Sequence, residues 1–228
     1  MSDKKSQGRR RQPDDAPQRL YAALVKADAA TAVGVLQQSV ADGSPHSQVF
    51  DSTLAPALAL VGEAWAKREI GDEGFQKASE IVEQLLSFAA TPAPETDVAV
   101  VVGTLRGDAH SVGKNVIAAV LRDAGYRVTD LGRDVRPVEF LERVESSQAK
   151  VVVACAQTLS SARRAEELRS VLDSGGHREV VLVVSGGPFT ADLAFARSFG
   201  ANGVIVGASS ALRVMERVCS RLGAVDAS

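Results

Sequence analysis

The sequence predicts an α/β protein in which an N-terminal four-helix bundle is followed by a five-stranded, parallel, doubly wound domain. Three features of the 228 residues support this prediction. Apolar residues recur at helical spacing through residues 18–90, a linker with two prolines occupies 91–96, and short β-branched runs alternate with helical patterns through 97–228. Residues 1–17 precede all of these patterns.

Residues 18–90 show the periodicity of amphipathic helices. The turn residues and proline at 42–45, and the segment 69–72, separate successive helices. Four helices with such short connections predict a small antiparallel bundle. Its longest stretch places four apolar residues along one helix face: Leu54, Leu58, Val61 and Trp65.

After the linker, five apolar runs alternate with helical patterns. Runs this continuously apolar must be covered on both faces, as in a parallel sheet with helices on either side. Such a domain is flavodoxin-like or Rossmann-like, and in both strand orders ligands bind beyond the carboxyl end of the first strand. The predicted strands are Val98–Val102, Tyr126–Leu131, Val151–Ala154, Val180–Val184 and Val204–Val206.

Charge is nearly balanced, with 26 basic and 28 acidic residues, so nucleic acid is not an expected partner. The exception is the basic segment 1–17, which we predict to be a disordered tail through which any nucleic-acid contact would come. No apolar run approaches the ~18 residues of a membrane span, and we expect a cytoplasmic protein. Cys155 and Cys219 form no CxxC motif and are expected to be reduced.

The loop Gly107–Asn115, between the first predicted strand and its helix, contains His110 two residues after Asp108. Glycines in this loop allow a tight turn and leave room for a ligand. Loops that follow parallel strands meet at one edge of the sheet. We therefore expect His110 to face a ligand site together with the small-residue loops at 156–161, 185–188 and 207–210.

This loop does not fit the common nucleotide-binding or hydrolase patterns. Its glycines lack the spacing of G-x-G-x-x-G and of a Walker loop, and Ser111 does not stand on a nucleophile elbow. A neutral imidazole whose other ring nitrogen meets Asp108 is typical of a metal-binding histidine. One histidine cannot hold a free metal ion, but a metal carried in a macrocycle needs only an axial ligand from the protein.

The chain resembles the cobalamin-binding domain family. That family has an Asp-x-His-x-x-Gly motif, a Ser-x-Leu after the third strand and a Gly-Gly after the fourth. Segments 107–108, 114–115 and 130–135 extend the likeness toward methionine synthase and corrinoid methyl carriers, and residues 18–90 are similar to the helical cap of those proteins. The residues that match the first and last motifs are Asp108, His110, Gly113, Gly186 and Gly187.

The resemblance implies that the protein binds cobalamin, as methylcobalamin or adenosylcobalamin, with the nucleotide base off the cobalt. His110 would be the lower axial ligand of the cobalt, and Asp108 would hydrogen-bond to its far ring nitrogen. The nucleotide tail would pass Gly186 and Gly187, and the helical cap would shield the upper face. Further cofactor-binding residues implied in this way are Ser111, Val112, Gly113, Gln157, Leu159 and Trp65.

The cobalamin-binding domain departs from the family at two positions. Gln157 replaces the serine of Ser-x-Leu, although its amide can still donate and accept hydrogen bonds and Leu159 is retained. Arg163 replaces the second serine, which completes a His-Asp-Ser relay in methionine synthase. Near this site, Lys114 is expected to be exposed at the start of a helix, and Arg133 and Arg136 are expected to lie on a solvated loop.

The cap also departs from its relatives. Trp65 matches a tryptophan of cobalamin photoreceptors, but the Glu-His pair that follows it there is Phe75-Gln76 in this chain. The aromatic residue that shields methylcobalamin in methionine synthase is not expected near Gly71.

Two functions therefore remain open. In one, the protein is a methyl-carrying corrinoid subunit that serves a partner methyltransferase and is not a self-sufficient enzyme. The residues of the Gly107–Asn115 motif, which are similar to those of methyl carriers, favour this function. In the other, the protein is a cobalamin-dependent sensor that acts through a regulatory protein partner. Trp65 and the replacement of the relay serine favour the sensor function. A doubly wound response-type domain without cofactor is the third interpretation.

Overall fold

The first part of the chain is a bundle of four helices, the third of which contains a π-helical turn. The computed structural model describes residues 15–88 and 96–225. Asp28 caps the second helix by accepting a hydrogen bond from the N–H of Thr31 at 3.0 Å. The helices are α1 (Ala16–Val25), α2 (Ala29–Ala41), α3 (His46–Val49), which continues through the π-turn Phe50–Leu54 into α4 (Ala55–Ala66), and α5 (Asp72–Phe88).

The bundle begins two residues earlier than predicted. Helix α1 starts at Ala16, which is buried, because Pro17 fits the first turn of a helix, where no backbone N–H donor is needed. The last two residues of the predicted tail 1–17 are therefore helical. Residues 1–14 and most of the predicted linker 91–96 lie outside the described residues.

The second part is a five-stranded parallel sheet in the order β2-β1-β3-β4-β5, with helices on both faces. This confirms the predicted doubly wound domain, and every strand agrees with its prediction to within two residues at each end. The elements are β1 (Ala99–Thr104), α6 (Val112–Asp123), β2 (Arg127–Asp130), α7 (Pro137–Ser147), β3 (Val151–Cys155), α8 (Leu159–Ala162), α9 (Arg164–Ser174), β4 (Val181–Ser185), α10 (Gly187–Ala191), α11 (Leu193–Ser198), β5 (Gly203–Ile205) and α12 (Ala208–Val225).

Two short helices at the carboxyl edge of the sheet differ from the sequence prediction. Helices α8 and α10 occupy segments that we expected to be loops. Thr158 caps α8, since its hydroxyl accepts a hydrogen bond from the N–H of Ser161 at 3.2 Å. Helix α6 also begins at Val112, so Gly113 and Lys114 belong to its first turn.

The sheet separates two hydrophobic cores, because successive residues of a strand point to opposite faces. Val100 and Val102 of β1 pack in the core that contains α6, α12 and the helical cap. Ala99 and Val101 pack on the other side, against α7 and α9. The cap therefore shares its core with one face of the sheet. Within the described residues, no helix is long and apolar enough to cross a membrane.

Asp51 links the cap to the sheet domain. This residue lies in the π-turn, and its carboxylate accepts hydrogen bonds from the N–H groups of Ala208 and Ser209, at 2.6 and 2.8 Å, and from the Ser209 hydroxyl. The first N–H groups of a helix have no partner within the helix, and a negative charge there is favourable. A side chain of the cap thus serves as the N-terminal cap of α12.

Candidate cofactor-binding site

His110 lies at the carboxyl edge of the sheet, in the loop between β1 and α6. The hydroxyl of Thr104, the last residue of β1, donates a hydrogen bond to the carbonyl oxygen of His110 at 3.0 Å. The His110 side chain is 66% exposed, whereas the side chain of its partner Asp108 is fully buried. The loop therefore presents an accessible imidazole on a buried support.

Asp108 fixes the orientation of the imidazole ring. Its Oδ1 lies 2.7 Å from Nδ1 of His110 and also accepts the N–H of His110 at 3.0 Å. With Nδ1 engaged in this way, Nε2 is the ring nitrogen that can bind a metal. This is the arrangement that the sequence predicted for the pair.

The second carboxylate oxygen of Asp108 is held by the start of α8. Oδ2 accepts the N–H of Gln157 at 2.5 Å, the N–H of Thr158 at 3.3 Å and the hydroxyl of Ser161 at 2.8 Å. Burial alone would raise the pKa of Asp108, but the hydrogen bonds from Gln157, His110 and Ser161 lower it from 3.8 to about 2. Asp108 is therefore an anion at neutral pH despite its burial.

Ser161 corrects the expectation that the relay serine is lost. Arg163, at the position of that serine in methionine synthase, is exposed at the junction of α8 and α9. Ser161, two residues earlier, is 1% exposed and reaches Asp108 from the first turn of α8. Ser161 lies in a segment that we expected to be a loop, and no local pattern specifies that its side chain meets Asp108.

A cavity of about 700 Å³ lies between the His110 loop and helix α5 of the cap. Gly113 and Gln157 contribute to the wall on the sheet side, and Arg133 lines it from the loop after β2. Phe75, four residues after Gly71, lines the opposite wall. The remaining cap residues that line the cavity are Gln76, Ser79, Glu80 and Glu83; the remaining loop residues are Ala109, His110, Ser111 and Val112.

Ser111 connects the two walls of this cavity. Its hydroxyl donates a hydrogen bond to Oε1 of Glu83 on α5 at 2.9 Å. The contact joins the cap to the residue that follows His110. A ligand that entered between α5 and the loop would lie beside this hydrogen bond.

A second cavity, of about 290 Å³, adjoins the first. Val112, Gly113 and Gln157 line both cavities, and Gly186 and Gly187 line the second. Its floor comes from the first turns of α6 and α12, and the π-turn of the cap closes it. The structure thus brings seven of the predicted cofactor residues together with His110: Asp108, Ser111, Val112, Gly113, Gln157, Gly186 and Gly187.

Gly186 is required by the backbone around it as well as by the cavity. Its φ is +116°, and a Cβ atom there would lie 1.8 Å from the carbonyl oxygen of Ala156. At Gly187, a Cβ atom would only approach Oε1 of Gln157, at 3.4 Å. That oxygen accepts the Gly187 N–H at 3.1 Å, so Gln157 bridges Asp108 and the loop after β4.

Trp65 and Leu159 do not line either cavity. Trp65 is 44% exposed, donates a hydrogen bond from Nε1 to Asp72 at 2.8 Å and stacks on Phe75 with ring centroids 4.8 Å apart. It therefore supports a cavity residue from behind. Leu159, the first residue of α8, is 63% exposed at the edge of the sheet.

The donor set fits a macrocyclic metal cofactor. His110 offers one ring nitrogen that can bind a metal, with a carboxylate behind it, and lines a cavity between the cap and the sheet domain. The adjoining smaller cavity, lined by glycines, can receive an extended substituent of the same ligand. Within 15–88 and 96–225, no three His, Cys, Asp or Glu side chains gather as a metal-ligand cluster.

The chain matches the family model "B12 binding domain" over residues 98–214, and a second B12 binding domain model over residues 17–89. It belongs to this family of proteins with a helical cap and a Rossmann-like cobalamin-binding domain.

Among curated proteins, the chain is 25% identical over 209 residues to a corrinoid protein of Desulfitobacterium hafniense, covering 89% of this chain and 96% of that one. It is 27% identical over 179 residues to trimethylamine corrinoid protein 2 of Methanosarcina mazei, covering 75% and 82%.

Two solved structures share the fold. The monomethylamine corrinoid protein of Methanosarcina barkeri superposes with a TM-score of 0.67 at 21% identity, over 87% of this chain and 96% of that one. The methanol:cobalamin methyltransferase complex MtaBC from the same organism contains a chain that superposes with a TM-score of 0.51 at 22% identity, over 92% and 81%.

Proposed function

We propose that this protein is a corrinoid carrier subunit, which binds cobalamin with His110 as the lower axial ligand and carries a methyl group for a partner methyltransferase. The observation that carries the proposal is the exposed imidazole of His110, oriented by the buried carboxylate of Asp108 and facing a cavity under the cap. The names of its relatives, which are corrinoid proteins, support the same function. The protein alone would not be a complete enzyme.

Asp108 and Ser161 prepare His110 for coordination. Because the Asp108 carboxylate is ionised and meets Nδ1, it favours the tautomer with the proton on Nδ1 and leaves the lone pair of Nε2 for the cobalt. Ser161 and the backbone of Gln157 hold that carboxylate in place. The cobalt of the corrin would supply the chemistry of accepting and releasing a methyl group.

The smaller cavity would receive the nucleotide tail once its base has left the cobalt. Gly186 and Gly187 leave one wall without side chains, and Gln157 presents an amide at the boundary between the two cavities. This amide takes the place of the family's serine because it can donate and accept hydrogen bonds. The cofactor would thus be held at two points, His110 and the tail cavity.

The cap wall would cover the upper face of the corrin. Phe75 supplies an aromatic surface, and Gln76 donates a hydrogen bond to Glu80 beside it at 3.1 Å. Such a wall would limit the access of water to the methyl group, and a partner methyltransferase would have to displace the cap to reach it. Methylcobalamin is accordingly the form that we propose for the working protein.

A sensor that acts through a regulatory protein is the second candidate, because Trp65 stacks on the cavity residue Phe75 and is itself partly exposed. A change in the upper ligand could alter this stack and a partner surface next to it.

The first experiment mixes the purified protein with hydroxo-, methyl- or adenosylcobalamin, in the dark, and removes unbound cofactor on a desalting column. We expect retained corrinoid with the visible spectrum of the base-off, histidine-bound form. His110→Ala should weaken retention by at least about tenfold and change that spectrum. A wild-type protein that emerges free of corrinoid would refute the proposed function.

A second experiment separates carrier from sensor by comparing the oligomeric state of each loaded protein in the dark and after illumination. An unchanged state, together with transfer of the cobalt-bound methyl group to a thiol in the presence of a methyltransferase, supports the carrier. A change of oligomeric state with light supports the sensor.

A further inference from the structure

The loop between β2 and α7 lies beside the His110 loop and contacts its backbone. Residues 131–135 continue alongside β1 after β2 has ended: Leu131 and Val135 donate backbone hydrogen bonds to Val102 and Thr104, and Leu105 forms an isolated parallel bridge with Val135. This loop therefore lies next to the turn that precedes His110.

Asp134 clamps that turn at two points. Its carboxylate Oδ1 accepts the N–H of Gly107 at 2.7 Å, and its own N–H donates to the carbonyl oxygen of Asp108 at 3.2 Å. Gly107 has a φ of +86°, a conformation that glycine adopts readily. These two contacts thus hold the backbone of Gly107 and of Asp108, the residue whose side chain orients His110.

Asp134 adopts a strained conformation to make these contacts. Its φ is +58°, in the left-handed region that is unfavourable for residues with a side chain, although Asp tolerates it better than most. Strain of this kind persists where the surrounding structure over-determines it, and it concentrates at functional positions. Asp134 does not line the larger cavity, although its neighbour Arg133 does.

An ion pair between a buried lysine and a partly exposed aspartate anchors the other side of the same loop. Lys114, expected to be exposed, has a side chain only 2% exposed, and its Nζ lies 2.6 Å from Oδ1 of Asp130. The same oxygen accepts the N–H of Gly132 at 2.8 Å. Because Lys114 stands in the first turn of α6, the pair ties the segment after His110 to the loop that carries Asp134.

From these contacts we infer that Asp134 is a positioning residue for axial coordination: it holds the Gly107–Asp108 turn so that Asp108 can present His110 to the cofactor. This inference rests on the proposed function, because it concerns the ligand role of His110. Asp134 acts through the backbone of the turn and is not itself expected to touch the cofactor.

Two substitutions separate positioning from folding. Asp134→Gly removes the carboxylate acceptor and relieves the left-handed strain, so the fold should persist with a thermal unfolding midpoint within about 4 °C of the wild type. Asp134→Asn keeps an oxygen acceptor and a side chain that tolerates this conformation, so it should behave like the wild type. Gln148→Gly, which relieves a φ of +53° at the end of α7, is the matched control for strain relief alone.

Two quantities are measured: cobalamin affinity and the electron paramagnetic resonance spectrum of the bound cob(II)alamin. The protein is labelled with ¹⁵N, so that splitting by an axial nitrogen of the protein can be distinguished from splitting by a nitrogen of the cofactor. We expect Asp134→Gly to bind about tenfold more weakly, with a reduced protein-nitrogen splitting, while Asp134→Asn and Gln148→Gly match the wild type. Wild-type affinity and splitting in Asp134→Gly, or equal losses in Asp134→Asn, would overturn the inference alone. No protein nitrogen in the wild-type spectrum would overturn the proposed function as well.

Discussion

Asp108 accepts hydrogen bonds from several residues in addition to His110. Its two oxygens accept from the backbone of three residues, from the imidazole of His110 and from the hydroxyl of Ser161. The spacing of Asp108 and His110 in the sequence was enough to predict their contact, because residues two apart in a turn lie close together. Ser161 was missed because it is 53 residues from Asp108, and no local pattern specifies such a contact.

At the residue scale, Ser161→Ala should weaken both the fold and cofactor binding. The buried carboxylate of Asp108 would lose a charge-assisted hydrogen bond, which corresponds to about 1.5–3 kcal/mol of the free energy of unfolding. If His110 is the proposed axial ligand, cobalamin affinity should fall about tenfold, because Asp108, which orients the imidazole, loses its own support. Denaturant unfolding of the cofactor-free protein and titration with hydroxocobalamin measure the two effects.

Ser160→Ala is the matched control, since Ser160 is exposed and, among the described residues, its hydroxyl meets only that of Thr158. Equal losses in the two variants would contradict the role given to Ser161. Arg163→Ser, which restores the serine of methionine synthase at its usual position, should leave affinity unchanged.

At the scale of elements, the loops at the carboxyl edge are more structured than their composition indicates. Helices α8 and α10 are separated from the preceding strand by three residues and one residue, respectively, and each has a site residue in its first turn, namely Ser161 in α8 and Gly187 in α10. Gly186, between β4 and α10, turns the chain where the carbonyl group of Ala156 approaches closely. The sequence predicted that glycines are needed here to leave room for a ligand. The structure adds that Gly186 must be glycine because a side chain there would collide with the backbone of Ala156.

Gly186→Ala should therefore destabilise the protein with or without cofactor. A Cβ atom at this position would collide with the backbone of Ala156 and force a residue with a side chain into positive φ, at a cost of roughly 3 kcal/mol or more. Gly187→Ala is the matched control, because its Cβ atom would meet only the flexible end of Gln157. Thermal unfolding of the cofactor-free variants measures the difference, and equal midpoints would contradict it.

At the scale of the whole molecule, the cap and the sheet domain form one structure around the candidate site. They share a hydrophobic core, they meet across the larger cavity through Ser111 and Glu83, and Asp51 of the cap completes the N-terminus of α12. The π-turn places Asp51 at this position, and π-helical segments are often found at functional sites. The two candidate cofactor cavities are thus lined by residues from both parts of the chain.

Asp51→Ala should loosen the cap from the sheet domain. The loss of the carboxylate leaves the first N–H groups of α12 without their partner and should lower the free energy of unfolding by about 2 kcal/mol. Amide hydrogen exchange should increase at the start of α12 and in the π-turn before other regions. Asp42→Ala, which removes an exposed carboxylate that accepts a hydrogen bond from Gln38, is the control and should change exchange only at the end of α2.

The sequence by itself determined the elements and the central pair of residues. Helical spacing defined the cap, continuous apolar runs defined the buried strands, and the Asp108–His110 spacing predicted the contact between these two side chains, because each of these signals lies within a few neighbouring residues. Only the tertiary structure decided that Ser161 supports Asp108, that Asp134 clamps the turn before His110, that Lys114 is buried against Asp130 and that Phe75 lines the cavity. These contacts join residues far apart in the chain, and they depend on strand order, register and the packing of the cap, which local patterns do not specify.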